Sequence, residues 1–126
     1  MARPKTMYLT EAEEKLAAII WREAPLTSPE LVAHAQRELK WKKSTTYTIL
    51  KRLCNKGIFK NTNANISVLL TRDEQNARQS LRFVEDTFGG SLPKLVSAFI
   101  AGGTLSREQA KEIQQLIDEY GGEDDG

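Results

Sequence analysis

Lys43-Ser44-Thr45-Thr46-Tyr47-Thr48-Ile49-Leu50-Lys51-Arg52-Leu53-Cys54-Asn55-Lys56-Gly57-Ile58-Phe59-Lys60 is the segment around which the rest of the chain can be ordered. Thr46, Ile49, Leu50 and Leu53 recur at helical spacing and predict a buried face. The opposite side then carries Ser44, Thr45, Tyr47, Thr48, Lys51, Arg52 and Asn55. Of these, positions 44, 48, 51, 52 and 55 fall along one exposed strip. Hydroxyls crowd the start of the strip and cations its later turns. Gly57 offers a left-handed stop for the helix. Beyond it, Ile58-Phe59-Lys60 and Ile66-Ser67-Val68-Leu69-Leu70 read as two β-prone runs. The Asn61-Thr62-Asn63-Ala64-Asn65 segment between them suits a hairpin turn, because Asn tolerates positive φ.

Two helices are predicted upstream. Thr10 and Glu13 form a capping box, each side chain satisfying the other's orphan amide. Leu16, Ala17, Ile19 and Ile20 follow as an apolar face, so the first helix runs from Glu11 to about Arg22 and Pro25 stops it. Ser28-Pro29-Glu30 reads as an N-cap, a proline at the first helical position and a first-turn acid. Leu31, Val32, Ala35 and Leu39 carry that second helix to about Glu38, and a short linker, Leu39 to Lys43, leads to the third. Three helices followed by a hairpin predict a winged helix-turn-helix over residues 1–71.

Residues 72–126 read as helical throughout. A second capping box, Thr71 with Glu74, opens a helix striped by Ala77, Leu81, Val84 and Phe88, and Gly89-Gly90 ends it. Leu92, Leu95, Val96, Phe99 and Ile100 mark a fifth helix, closed by Gly102-Gly103. Ser106 with Gln109 opens a sixth, on which Ile113, Leu116, Ile117 and Tyr120 align. The tail Gly121-Gly122-Glu123-Asp124-Asp125-Gly126 is expected to fray. The fold class is therefore mainly α: a winged helix with a three-helix C-terminal arm. So short an arm buries too little surface to fold by itself. A second copy would supply the missing core, and two-fold pairing is the commonest solution. The alternative is that these helices pack back on the winged domain of their own chain.

The order of residues on the third helix suits DNA recognition. N-terminal residues of such a helix reach base edges and later ones meet phosphates. On that reading Thr45, Tyr47 and Thr48 set base preference, while Lys51, Arg52, Lys56 and Lys60 contact phosphates. The bland alternative is a polar face that only meets water. A rival of another class is a winged-helix module that binds protein and never touches DNA.

The same residues also resemble a known family. Trp41-Lys42-Lys43-Ser44-Thr45-Thr46-Tyr47-Thr48-Ile49-Leu50-Lys51-Arg52-Leu53 with Lys56-Gly57-Ile58 looks like the penicillinase and methicillin-resistance repressors, which include copper-responsive members. Leu9-Thr10-x-Ala12-Glu13 with Ile20-Trp21, and Gly89-Gly90 ahead of Leu95-Val96-x-x-Phe99, extend the likeness over roughly residues 8–120. The resemblance implies a repressor homodimer on an inverted-repeat operator of double-stranded DNA, with the C-terminal helices intertwined. Carried over by position, Lys43, Ser44, Thr45, Tyr47 and Thr48 would face the groove. It further implies an upstream sensor or protease, acting in β-lactam-responsive relatives at a site that aligns near Ala98-Phe99. Those relatives place Asn where this chain has Ala98, and the Cys-x-Cys motifs of the copper branch have no counterpart here. The hairpin tip also lacks any Lys or Arg beyond Lys60.

Composition narrows the remaining possibilities. The 126 residues are 40% hydrophobic and 28% charged, with a formal net charge of +1. That balance hides an asymmetry. Residues 1–63 hold twelve Lys/Arg and six Asp/Glu, whereas residues 64–126 hold six and eleven. A basic half joined to an acidic half suggests a polyanion partner at one end, though scatter of charge over a solvated surface is the plain alternative. No apolar run is long enough to span a membrane, and the N-terminus lacks the apolar region of a secretory signal, so the chain reads as cytoplasmic. Cys54 reads as a small, partly buried residue and His34 as a solvated imidazole, and neither has partners for a metal site. Trp21 and Trp41 read as anchors at the core's edge. Glu11, Glu13 and Glu14 resemble a carboxylate cluster but lie in a helix's first turn, where acids favour the dipole. No enzyme activity, cofactor or metal is expected.

Overall fold

In the computed structural model, residues 8–121 are described; the expectations for the first seven residues and for the tail at 122–126 lie outside them. The chain divides into two compact units, Met1–Arg82 and Phe83–Gly126.

The first unit is a winged helix-turn-helix. Helix α1 (Glu11–Glu23) opens on the Thr10/Glu13 capping box. A two-residue strand, β1 (Leu26–Thr27), leads into α2 (Ser28–Leu39), and α3 (Lys43–Asn55) follows after a short turn. The wing is the hairpin of β2 (Phe59–Thr62) and β3 (Asn65–Val68). All three strands form one antiparallel sheet in the order β1-β3-β2.

Local signals account for most of these boundaries. At the end of α3, Gly57 takes φ of 80°. The Gly57 amide donates to the Cys54 carbonyl and the Ile58 amide to the Leu53 carbonyl. This is the Schellman arrangement, and its apolar contact is present too, since Leu53 and Ile58 are both fully buried.

Three details differ from the sequence reading. The N-cap of α2 is Thr27 rather than Ser28, with a reciprocal Thr27/Glu30 capping box. Thr27 already lies extended in β1, so its side chain is free to cap, while Ser28 is buried and its amide donates to Ala64 of the wing. The hairpin strands also run further into the asparagine-rich stretch. Only Asn63 and Ala64 form the turn, both at positive φ, as the primed two-residue hairpin turn requires. Finally, β1 is too short to show alternation and exists only through its pairing with β3.

The core is built from α1, α2, α3 and the sheet. Leu16, Ile20, Leu31, Leu50, Leu53 and Ile66 are among its most enclosed residues. Trp21 stands at its edge, with its ring 5.4 Å from that of Phe59 and its indole N–H donating to the Leu70 carbonyl. That bond holds the strand end after β3 against α1. Trp41 likewise packs against the core's edge.

Helix α4 (Arg72–Phe88) starts at the Thr71/Glu74 capping box, and its first part belongs to this unit. The second unit holds the end of α4 with α5 (Leu92–Ala101) and α6 (Arg107–Tyr120). Ser91 caps α5, and a Ser106/Gln109 box caps α6. None of the described residues from 83 to 121 is buried. Among the described residues no helix is long and apolar enough to cross a membrane.

Candidate nucleic-acid interface

Helix α3 turns Thr46, Ile49, Leu50 and Leu53 inward. A helix buried on one side must present its remaining residues outward, and Lys43, Ser44, Thr45, Thr48, Lys51, Arg52 and Asn55 are all exposed. Lys60 is exposed on the wing. Thr46 occupies a core position without penalty because its hydroxyl donates to the Lys42 carbonyl one turn back.

The start of α3 is chemically distinct from the other helix starts. Its N-cap is Lys42, which makes no side-chain cap, and its first turn holds no acid. Helices α1, α2, α4 and α6 combine a reciprocal cap with an acidic first turn, and α5 is capped by Ser91. Among the described residues, α3 is thus the one helix that combines an N-cap without a side-chain hydrogen bond and a first turn without an acid. Such an end carries partial positive charge and outward-pointing donors, which favour an anionic oxygen. Lys42 and Lys43 add full charges beside it. Lys42 did not stand out in the sequence reading, although it directly precedes the strip.

Two of the expected contact residues are placed differently. Tyr47 is half-buried against the core, with its hydroxyl 3.4 Å from the Ser28 hydroxyl, so it flanks the strip instead of standing free on it. Lys56 is withdrawn altogether. Its side chain is 13% exposed, and its ammonium donates to the Glu13 carboxylate and to the Tyr8 carbonyl. An ammonium committed to a buried carboxylate is a poor phosphate ligand, because leaving would strand the opposite charge. Glu13, read from sequence only as a capping acid, is 2% exposed. Burial pushes its carboxyl up. Hydrogen bonds from Lys56 and the Thr10 backbone, with the charges of Lys56 and Arg52, outweigh that and leave it below its ordinary value.

The other chemically tempting residues resolve simply. Burial raises the Cys54 thiol above its ordinary value, against a hydrogen bond from the Asn61 backbone, which keeps it a poor nucleophile. His34 is less solvated than expected. Its ring lies 3.4 Å from Glu38 and 3.8 Å from Glu23, and Arg22 bridges the same two carboxylates. Among the described residues no group of three or more His, Cys, Asp or Glu is placed to hold a metal ion.

The residues expected to pair subunits line up on α4, α5 and α6. Leu81, Leu92, Phe99, Ile100, Leu116 and Ile117 are exposed, and Val84, Phe88, Leu95, Val96 and Ile113 are half-buried. Leu81 and Leu116 are 73% and 65% exposed. In the second unit Leu92, Leu95, Val96, Phe99 and Ile113, joined by Leu105, line a wholly apolar depression of about 260 Å³. Ala98 and Phe99 lie within α5 and are exposed.

Comparison with known proteins agrees with this architecture. The chain is 24% identical over 120 residues to a penicillinase repressor of Bacillus licheniformis, covering 92% of this chain and 94% of that one. It is 24% identical over 119 residues to a penicillinase repressor of Staphylococcus aureus, covering 91% and 94%. An uncharacterised 16.5 kDa protein of Latilactobacillus sakei is 29% identical over 118 residues, covering 89% of this chain and 80% of that one. The penicillinase repressor family matches residues 9–119, and the chain, with its winged helix and C-terminal helices, belongs to that family.

Proposed function

We propose that this protein is a transcriptional repressor that binds double-stranded operator DNA as a homodimer and blocks a promoter by occupying it. The observation that carries the reading is the exposed strip of α3, which starts at an uncapped, lysine-flanked helix end free of acids. On this reading the exposed Thr45 and Thr48 meet base edges or a thymine methyl, with Lys43 and Ser44 beside them at the groove. Lys51, Arg52 and Lys60 meet phosphates, and Lys56 is released from that role by its bond to Glu13. Residues 1–71 form the DNA-binding domain and residues 72–126 the dimerisation arm. The uncovered apolar residues of α4 to α6 favour pairing, since exposed apolar surface on this scale marks an association site. A two-fold dimer would set its recognition helices ~34 Å apart, or a multiple of it, on an inverted repeat.

The test is titration of a promoter fragment carrying an inverted repeat at two salt concentrations. Binding that weakens steeply with salt, and that a scrambled fragment does not reproduce, is the expected result. Negligible or sequence-indifferent binding at low salt would leave the protein-interaction module as the better account. Thr48→Ala should lose about 1–3 kcal/mol of discrimination at one base pair. Lys51→Ala should weaken all sequences alike and lower the salt slope by about 1.

A further inference from the structure

The attachment of α4 to the DNA-reading unit is polar where the rest of that unit is held by apolar burial. No residue of α4 belongs to the buried apolar core. Instead, the Arg78 guanidinium donates to the Lys56 carbonyl, at 3.1 Å, on the residue that caps α3. Lys56 also carries the buried bond to Glu13 on α1. Next to Arg78, the Gln79 side-chain oxygen accepts from the Leu9 amide at 3.2 Å and from Gln75 at 3.1 Å, and Gln75 is 1% exposed. Arg72, one turn before Gln75, lies 5.0 Å from the centre of the Trp21 ring.

The chemistry suits orientation more than adhesion. Apolar contact is non-directional and tolerates sliding. Hydrogen bonds weaken steeply off-axis, so a guanidinium held to one carbonyl fixes a direction and a register. The carbonyl it takes is an end group of a helix, where no intrahelical donor competes and the dipole favours a cation. It belongs to the same helix that carries the DNA-facing strip.

We propose that Arg78 is a positioning residue that determines operator spacing. By holding the capping carbonyl of α3, it sets the direction of α4 relative to the recognition helix, and with it the separation and phase of the two recognition helices a dimer presents. The proposal rests on the function proposed above. It assigns Arg78 no contact with DNA.

The experiment uses the full-length chain and an inverted repeat that the wild-type protein selects from a random duplex pool. Affinities are measured for that repeat, for versions with one base pair added to or removed from the spacer, and for a single half-site. One base pair moves a half-site by ~3.4 Å and ~34° of helical phase. Wild type is expected to lose about tenfold or more on either change. Arg78→Met keeps the aliphatic stem and removes the donor. It should bind the single half-site within about twofold of wild type, yet its spacing penalty should fall to about threefold or less. Arg78→Lys, which can still donate to the carbonyl, should recover much of the discrimination. If wild type discriminates and Arg78→Met discriminates equally, the positioning role is overturned while the repressor reading stands. If Arg78→Met loses half-site affinity in step with full-site affinity, Arg78 only holds the fold together, and the proposal also fails. If wild type selects no repeat, both readings fall together.

Discussion

Residues 8–82 and residues 83–121 are built from comparable helices, all but α3 opened by a side-chain cap, yet they end in opposite states. The first stretch buries thirteen apolar side chains in one core, and the second buries none. Propensity does not explain the contrast, since α5 is among the most apolar segments of the chain. Geometry does. Three crossing helices and a sheet enclose a common centre, whereas the second unit has too few elements to surround its own apolar stripes. The winged unit closes around its own core, whereas the apolar stripes of the arm stay uncovered within the chain.

The comparison can be broken at its weaker side first. If the arm pairs as proposed, replacing Leu116 and Ile117 together by Asp should leave the protein a monomer in sedimentation. It should also cost about 10²–10⁴-fold in operator affinity, the size of a lost intramolecular second binding event. Both residues are exposed within the chain, so the winged unit should keep its fold. A doubly substituted protein that still sediments as a dimer would show that the arm's apolar stripe is not the interface.

The next test separates the two kinds of stability. Leu50→Ala opens a cavity in a closed core and should cost about 2–5 kcal/mol. That loss belongs to the winged unit, so it should not change with protein concentration. The stability contributed by arm pairing should instead rise with protein concentration, because association stabilises by mass action. Melting the wild type over a wide concentration range reads both. A melting profile wholly independent of concentration would mean that the arm is not completed by a second copy.

The smallest expected effect lies at the buried polar cluster. Glu13→Gln should destabilise the winged unit by about 1.5–3 kcal/mol near neutral pH, the value of a charge-assisted hydrogen bond. The carboxyl sits below its ordinary value of 4.5 in the folded chain. Its contribution is therefore complete above that value and is lost as pH falls through the lowered one. The gap between wild type and Glu13→Gln should close as acidification carries the solution below 4.5 and through the lowered value. A gap that stays constant to the acid limit would show that the carboxylate charge contributes nothing.

How much of this was legible in the chain itself follows from the range of each interaction. The capping boxes, the Gly57 stop and the inward face of α3 depend on residues within one or two turns of each other. Sequence spacing carries them, and the exposed strip from Ser44 to Asn55 could be read directly. The Thr27/Glu30 box was legible by the same rule but was hidden behind the neighbouring Ser28-Pro29 signal. The remainder required residues that are distant in sequence. Lys56 looked like one more cation beside the strip until the fold brought it to Glu13, 43 positions away. Tyr47 joined the edge of the core through Ser28, and β1 became a strand only by meeting β3. Nothing in a local pattern announces where an ammonium will find a buried carboxylate, or which carbonyl a guanidinium such as Arg78 will take. Those pairings exist only when separate segments are close enough for desolvated charges and hydrogen bonds to form, and closeness of that kind is a property of the folded chain.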